Sequence, residues 1–293
     1  MSHKAGFVSI IGKPNVGKST LINELVGEKL SIITAKAQTT RHRILGIVSA
    51  DDYQVIFSDT PGIIKPKYLL HESMMGAVEQ SLQDGDLLLL VMEWNEKQLD
   101  EEVLKRLQKN KAPVIGILNK IDLAPSQEAV MERVEALKKE INCLDFIPVS
   151  AKEKFNTGRI FQLILEHLPE SPPFFPKDQL TDRPERFFAA EIVREKIFMY
   201  LKEELPYSCE VEIMEFKEEE NIIRIYADIY VLRDSQKIIL IGAGGRTLKK
   251  IGTEARKDLE AFFNKKVYLQ QFVKVRENWR DDKNYLKSFG YTE

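Results

Sequence analysis

Eight residues, Gly12-Lys13-Pro14-Asn15-Val16-Gly17-Lys18-Ser19, join the apolar run Phe7 to Ile11 to an amphipathic stretch over Lys18 to Val26. A GxxxxGKS segment between a strand and a helix constrains the local architecture more tightly than any other feature of the chain. Its glycines let the backbone fold back on itself, and the helix that follows aims its unpaired N–H groups and partial positive charge at whatever the loop encloses. Phosphate fits such a cradle. Backbone N–H groups from Gly12 to Thr20, with Lys13, Pro14, Asn15 and Val16 forming the turn, can wrap a nucleotide's phosphates. Lys18 reaches the β- and γ-phosphates and Ser19 offers a hydroxyl to magnesium. A chance glycine turn would lack the strand and the helix on either side.

The alternation continues along the chain. Strands are predicted at Phe7 to Ile11, Ile44 to Ser49, Gln54 to Ser58, Leu87 to Met92, Val114 to Leu118 and Phe146 to Val149. Helices are predicted at Lys18 to Val26, His71 to Gln83, Leu99 to Lys109, Ser126 to Glu140 and Asn156 to Leu168. Repeated βαβ units imply a mostly parallel sheet covered by helices. Only Ala50, Asp51 and Asp52 separate the second and third strands, too short a link for a parallel crossover, so that pair should be antiparallel.

Five prolines between Pro169 and Pro184 forbid helix and mark a linker. The expected layout is therefore a first domain over 1–172, a linker over 173–185 and a second domain over 186–293. A length of 293 residues suits two globular domains, and 43% hydrophobic with 30% charged residues excludes a disordered chain. Cys143 and Cys209, far apart and outside any CxxC, exclude a disulfide scaffold and indicate a reducing compartment. The longest apolar run, Leu87 to Met92, is far short of the roughly 18 residues that a membrane span requires. A cytoplasmic location is expected, with peripheral contact at the inner face of the membrane left open.

Three further motifs stand at predicted strand ends. Asn119-Lys120-Ile121-Asp122 places a carboxylate where it can pair with two N–H donors of guanine, which adenine does not offer, making Asp122 the base discriminator. Ser150-Ala151-Lys152 follows at the next strand end. Asp59-Thr60-Pro61-Gly62 puts a carboxylate in reach of a magnesium hydration shell, and a glycine whose N–H can approach the γ-phosphate unobstructed.

The order GKPNVGKS, Thr39-Thr40-Arg41, DTPG, NKID and SAK resembles the translation-factor-related class of P-loop GTPases over about residues 5 to 170. The resemblance implies GTP/GDP and magnesium as cofactors, with Ser19, Thr40 and Asp59 at the metal and Lys18, Thr40 and Gly62 serving hydrolysis. Thr40 matches the switch threonine by its place before Arg41, with Thr39 as the alternative. The first switch falls within Leu30 to Arg43 and the second spans Asp59 to about Met75. Ile63 follows Gly62 where many GTPases have a glutamine that orients the attacking water, and an isoleucine cannot do so. In relatives with a PNxGKS loop, an asparagine matching Asn15 helps hold potassium, which implies the same here; bracing of the loop is the alternative.

The second domain is predicted as a helix over Phe187 to Leu205, strands at Cys209 to Phe216 and Ile222 to Leu232, and a short strand at Lys237 to Ile241. A helix over Arg246 to Phe263, a strand over Val267 to Val275 and a helical tail complete it. Between the short strand and the long helix stand Gly242, Ala243, Gly244 and Gly245, a GxxG that lets a backbone approach a sugar-phosphate chain as in the KH fold. A tight turn would explain GxxG alone, but the charge is divided. Arg246 to Lys287 carries twelve Lys or Arg against six Asp or Glu, whereas Leu201 to Glu220 carries two against eight. A basic face beside GxxG indicates RNA.

Taken whole, the chain is similar to the Era family of bacterial GTPases, an α/β P-loop GTPase domain with a mostly parallel sheet followed by an α+β KH-type RNA-binding domain. That family acts in maturation of the small ribosomal subunit and binds the 3′ end region of its RNA. The resemblance therefore implies small-subunit ribosomal RNA and a 30S-type subunit as partners, with no obligate protein partner. Gly242 to Gly245 match the RNA-backbone loop, and Arg246, Lys249 and Lys250 the phosphate partners. Trp279, Tyr285 and Phe289 are candidates for stacking on bases, with core packing as the alternative. Two other classes compete: an RNA-modifying GTPase with a catalytic cysteine, and a membrane-remodelling GTPase anchored by its basic C-terminal helix.

Overall fold

Apolar runs of five to seven residues are too short for helices that bury a face, and in the computed structural model they become strands. The structure describes residues 3–34, 36–96 and 98–291; the domain limits expected at residues 1 and 293 lie outside these. The chain divides into two compact units, Met1–Lys67 with His71–Asp182, and Arg183–Glu293 with Tyr68–Leu70.

The first unit runs β1 (Lys4–Ile11), α1 (Lys18–Val26), β2 (Ile44–Ser49), β3 (Tyr53–Asp59), α2 (Leu69–Asp84), β4 (Leu87–Glu93), α3 (Glu101–Lys109), β5 (Val114–Asn119), α4 (Gln127–Glu140), β6 (Asp145–Pro148) and α5 (Thr157–His167). Among the described residues these strands form one sheet in the order β2-β3-β1-β4-β5-β6. The pairs from β3 to β6 are parallel and β2 is antiparallel to β3, as the three-residue link requires. Leu87 to Met92 is buried throughout, as expected of an interior parallel strand covered on both faces. In an open parallel sheet the loops at the carboxyl ends of the strands form the binding crevice. Here those loops carry the four motifs.

Residues 170–182 contain no helix, but they are more than a spacer. The Gln54 side chain, fully buried in β3, accepts from the N–H groups of Phe174 (2.8 Å) and Phe175 (3.0 Å) and donates to the Phe175 carbonyl (2.9 Å). Ile47 N–H donates to Leu180 O (2.8 Å), and Leu45 N–H to an Asp182 carboxylate oxygen (2.9 Å). The proline-rich segment is thus strapped along β2 and β3, and the first compact unit ends at Asp182. One glutamine in an apolar strand gives no sequence signal for such a strap.

The second unit runs α6 (Glu185–Tyr200), β7 (Glu210–Glu218), β8 (Ile222–Val231), α7 (Asp234–Ile241), α8 (Arg246–Phe263), β9 (Lys266–Val275) and α9 (Lys283–Ser288). Its sheet has the order β7-β8-β9, with β7 antiparallel and β9 parallel to β8. Residues 237–241, expected as a strand, belong to the helix α7. In the run KIILI Leu240 is buried and Ile241 packs partly buried beside it, while Ile238 and Ile239 are 70% and 58% exposed, so the segment anchors by one side and makes no sheet pairing. Short apolar runs do not distinguish the two states. In α8 the buried stripe is Ile251, Ala255 and Leu259, with Leu248 and Phe263 packed partly buried against the same core.

Candidate nucleotide site and nucleic-acid interface

The phosphate loop is tight enough to dictate its glycines. Gly12 has φ +151 and a Cβ there would lie 2.3 Å from the Val91 carbonyl oxygen; Gly17 has φ +98 and a Cβ would lie 2.2 Å from Asn119 Nδ2. Asn15, at φ 65, occupies the left-handed region at the exposed crest of the loop, a conformation asparagine tolerates. Lys18 is buried and arches back over the loop, donating to the carbonyls of Gly12 (3.2 Å) and Lys13 (2.8 Å). Burial pushes its ammonium down to about 8, and the negative charges of Asp59 and Glu96 oppose the fall. A phosphate against Lys18 would favour the charged form, so this lysine gains most when an anion arrives.

Beside it, at the end of β3, three oxygen-bearing side chains converge. Ser19 Oγ donates to Asp59 Oδ2 at 2.9 Å and lies 2.9 Å from Thr40 Oγ1, which is itself 3.4 Å from Asp59 Oδ2. Asp59 is fully buried, and burial holds its carboxyl above the usual range against the pull of Ser31, Lys18, Ser19 and Thr40. Its Oδ1 has no hydrogen-bond partner among the protein atoms. A buried carboxylate oxygen without a donor, beside two hydroxyls, is a donor set suited to a hard cation such as magnesium. Of the two threonines left open, Thr40 points its hydroxyl into this cluster, while Thr39 lines the same cavity.

The turn after Asp59 packs on the phosphate loop. A Cβ on Gly62 would meet the Pro14 backbone at 2.6 Å, and Ile63 N–H donates to Gly12 O at 3.2 Å. Ile63 is buried and offers a water no hydrogen bond.

At the base end, Asn119 ties three loops together: Nδ2 donates to Val16 O (2.9 Å) and Oδ1 accepts from Ala151 N–H (3.0 Å). Ser150 Oγ donates to Asp122 Oδ1 at 2.6 Å, fixing a carboxylate that is otherwise exposed. Lys120, left-handed at φ 63, is held by Glu93 at 3.0 Å. Lys152 is largely exposed and pairs with Glu153.

In the second unit, Gly242, Gly244 and Gly245 have φ of 73, 60 and 76, and a Cβ on Gly242 would lie 2.2 Å from Thr247 Oγ1. The loop therefore turns sharply between α7 and α8. A groove beside it is lined by Gly245, Leu248, Lys249, Gly252, Arg256 and Gln271 among others. Arg246, Lys249 and Lys250 are exposed, and the Lys250 ammonium sits 4.4 Å from the Tyr200 ring centroid. Trp279 is not available to RNA. It is fully buried, its Nε1 donates to Ser208 O at 3.1 Å, and Phe289 packs against it at 5.7 Å between ring centroids. Phe289 also contacts Tyr230 and Tyr285, so these aromatics fasten the tail. Sequence spacing marked an aromatic cluster but not which side of it faces inward.

Residues 7–120 match the family described as 50S ribosome-binding GTPase, and residues 204–280 match the KH domain family. A GTPase Era of Staphylococcus haemolyticus (strain JCSC1435) is 44% identical over 294 residues, covering 99% of this chain and 98% of that protein. The chain belongs to the Era family of GTPases. A crystal structure of Era in complex with MgGDPNP and nucleotides 1506-1542 of 16S ribosomal RNA is 42% identical with a TM-score of 0.95, covering 99% of this chain and all of that one. A point variant of Aquifex aeolicus Era bound to GDP.AlF4- is 41% identical with a TM-score of 0.94, again over 99% and 100%.

Within this Era-type site, two pairs carry no sequence signal. Lys13 is paired with Glu96 at 2.9 Å, and Glu93 holds Lys120. Both acids lie at or just beyond the end of β4, which bears no nucleotide motif. Only the adjacency of β4 to β1 and β5 brings them to the loops.

Proposed function

We propose that this chain is a GTP-hydrolysing switch that binds the 3′ end region of small-subunit ribosomal RNA and assists assembly and maturation of the small ribosomal subunit. The observation that carries this reading is one chain holding both a Ser19–Thr40–Asp59 cluster around a buried carboxylate beside Lys18 and a GxxG loop opening onto a basic helix. Asp122 reads guanine, with Asn119, Lys120, Ser150, Ala151 and Lys152 shaping the base pocket. Gly12 to Thr20 hold the phosphates. Ser19, Thr40 and Asp59 hold magnesium, which when bound neutralises charge on the phosphates. Lys18 stabilises the charge that develops as water attacks the γ-phosphate in line, and Thr40 and the Gly62 N–H sense that phosphate.

Ile63 offers the attacking water no hydrogen bond, and Asn15 supports another source of assistance. Its amide stands exposed beside the same cavity, and we assign it to a potassium ion that adds fixed positive charge near the phosphates. GTP turnover is expected to be several-fold faster in potassium than in sodium buffer. Equal rates in the two salts would remove the assignment.

Gly242 to Gly245, Arg246, Lys249 and Lys250 supply the RNA-backbone contacts. The coupling predicts that affinity for single-stranded RNA differs between the GTP-analogue, GDP and nucleotide-free states, measurable by fluorescence anisotropy. Identical affinity in all three would contradict a switch, because a ligand with no preference between states cannot shift them. No helix among the described residues is long and apolar enough to cross a membrane. We place the chain in the cytoplasm, with the basic α8 and tail available for peripheral membrane contact. The cysteines argue against an RNA-modifying enzyme: burial pushes the Cys143 thiol up to about 12, and Cys209 is buried and donates to Leu205 O.

A further inference from the structure

Strand β9 presents two chemically different faces. Side chains alternate along a strand, so Val267, Leu269, Val273 and Val275 pack toward the helices, and Leu269 and Gln271 line the groove beside the GxxG loop. Tyr268, Gln270, Phe272 and Lys274 turn to the opposite face. There Tyr268 and Phe272 are 41% and 46% exposed. Tyr268 lies 6.0 Å from the Tyr226 ring, and the Arg224 guanidinium sits 5.6 Å over it. The tail residue Phe289 packs on Tyr230 of β8; among the described residues no aromatic of the tail reaches Tyr268 or Phe272, and the Tyr268 ring carries only the Arg224 guanidinium and the neighbouring Tyr226 ring.

The charges on this face are also divided. Lys266, Lys274 and Arg276 follow β9, whereas Glu210, Glu212 and Glu215 lie on β7 across the sheet. Asp228, opposite Phe272, is already engaged by Lys274 and Tyr230. Arg224, paired with Glu219 at 3.3 Å, backs one side of the half-exposed Tyr268 ring, and half-exposed planar rings with cations beside them make a stacking platform for unpaired bases, which tolerates sequence because every base has a π-face. Tyr268 and Phe272, four residues apart, are separated by about 13 Å along the strand, which leaves room for a stretched strand to place separate bases on each.

A GxxG groove clamps about four nucleotides, so a longer single strand must leave it. β9 is an edge strand, with no further strand beyond it among the described residues. A chain leaving the groove can therefore pass over that edge from one face of β9 to the other. We propose that the outer face of β9, through Tyr268 and Phe272 with Arg224, is a second RNA surface that stacks unpaired bases flanking those in the GxxG groove. This rests on the RNA-binding reading given above.

The test compares two single-stranded oligonucleotides from the 3′ end region of small-subunit ribosomal RNA, one of about 5 nucleotides that fills the groove and one of about 12 that overruns it. Affinities are measured for the unaltered full-length chain and for a variant carrying Tyr268→Ala with Phe272→Ala. The variant is expected to lower the ratio of long to short affinity by at least about tenfold while GTP turnover without RNA stays unchanged. An unchanged ratio overturns the proposal, even if both affinities fall together. An unchanged ratio with weaker binding to intact small subunits overturns it too, and assigns the face to a protein. If neither oligonucleotide binds the unaltered chain, the RNA-binding reading itself fails, a result distinct from failure of the second surface.

Discussion

A Lys18→Ala variant is expected to lose GTP turnover by roughly 10²–10³-fold, the scale for removing one preorganised donor from a developing oxyanion. The structure explains why no neighbour substitutes. Lys18 is the cation that arches over the Gly12 and Lys13 carbonyls, while the Lys13 ammonium is paired with Glu96. The fold should survive, because the substitution removes a buried charge whose burial already pulls its pKa down to about 8. Phosphate release measured alongside thermal unfolding separates the two effects: turnover collapses while the midpoint holds. Turnover within tenfold of the parent would mean that Lys18 does not serve the γ-phosphate.

The second large effect is a change of base. Asp122→Asn is expected to weaken GTP binding by at least roughly a hundredfold and to create a preference for XTP. A carboxylate accepts both N–H donors of guanine. An amide keeps one acceptor and substitutes a donor, which faces the guanine amino group badly but matches the carbonyl at the same position of xanthine. Ser150 Oγ still has an oxygen at residue 122 to bind, so the loop stays in place. Competition between GTP and XTP for one labelled nucleotide reads the switch directly. Retained guanine preference would place the discriminating contact elsewhere.

Both expectations rest on motifs legible in sequence because their geometry is local: a strand, a loop of fixed length and a helix. The same locality gave the antiparallel β2–β3 pair from a three-residue link. Where spacing did not settle the answer, the deciding contacts were distant. Whether KIILI is a strand or a helix depends on which of its side chains reach the core, here Leu240 and Ile241 with Ile238 and Ile239 exposed. The burial of Trp279 depends on Ser208, 71 residues away, accepting its N–H. The strap along β2 and β3 depends on the buried Gln54 amide of β3 and on backbone N–H groups of β2. Asn119 was legible as a base-site residue, yet its observed bonds make it a brace between the phosphate loop and Ala151.

The central claim is that one chain couples GTP hydrolysis to RNA. GTP turnover of the purified chain in potassium buffer, with and without a single-stranded RNA matching the 3′ end of small-subunit ribosomal RNA, tests it most directly. The account predicts turnover several-fold faster with RNA, and loss of that stimulation when Arg246 and Lys249 are replaced. RNA that binds with no effect on the rate, or that does not bind, would contradict it.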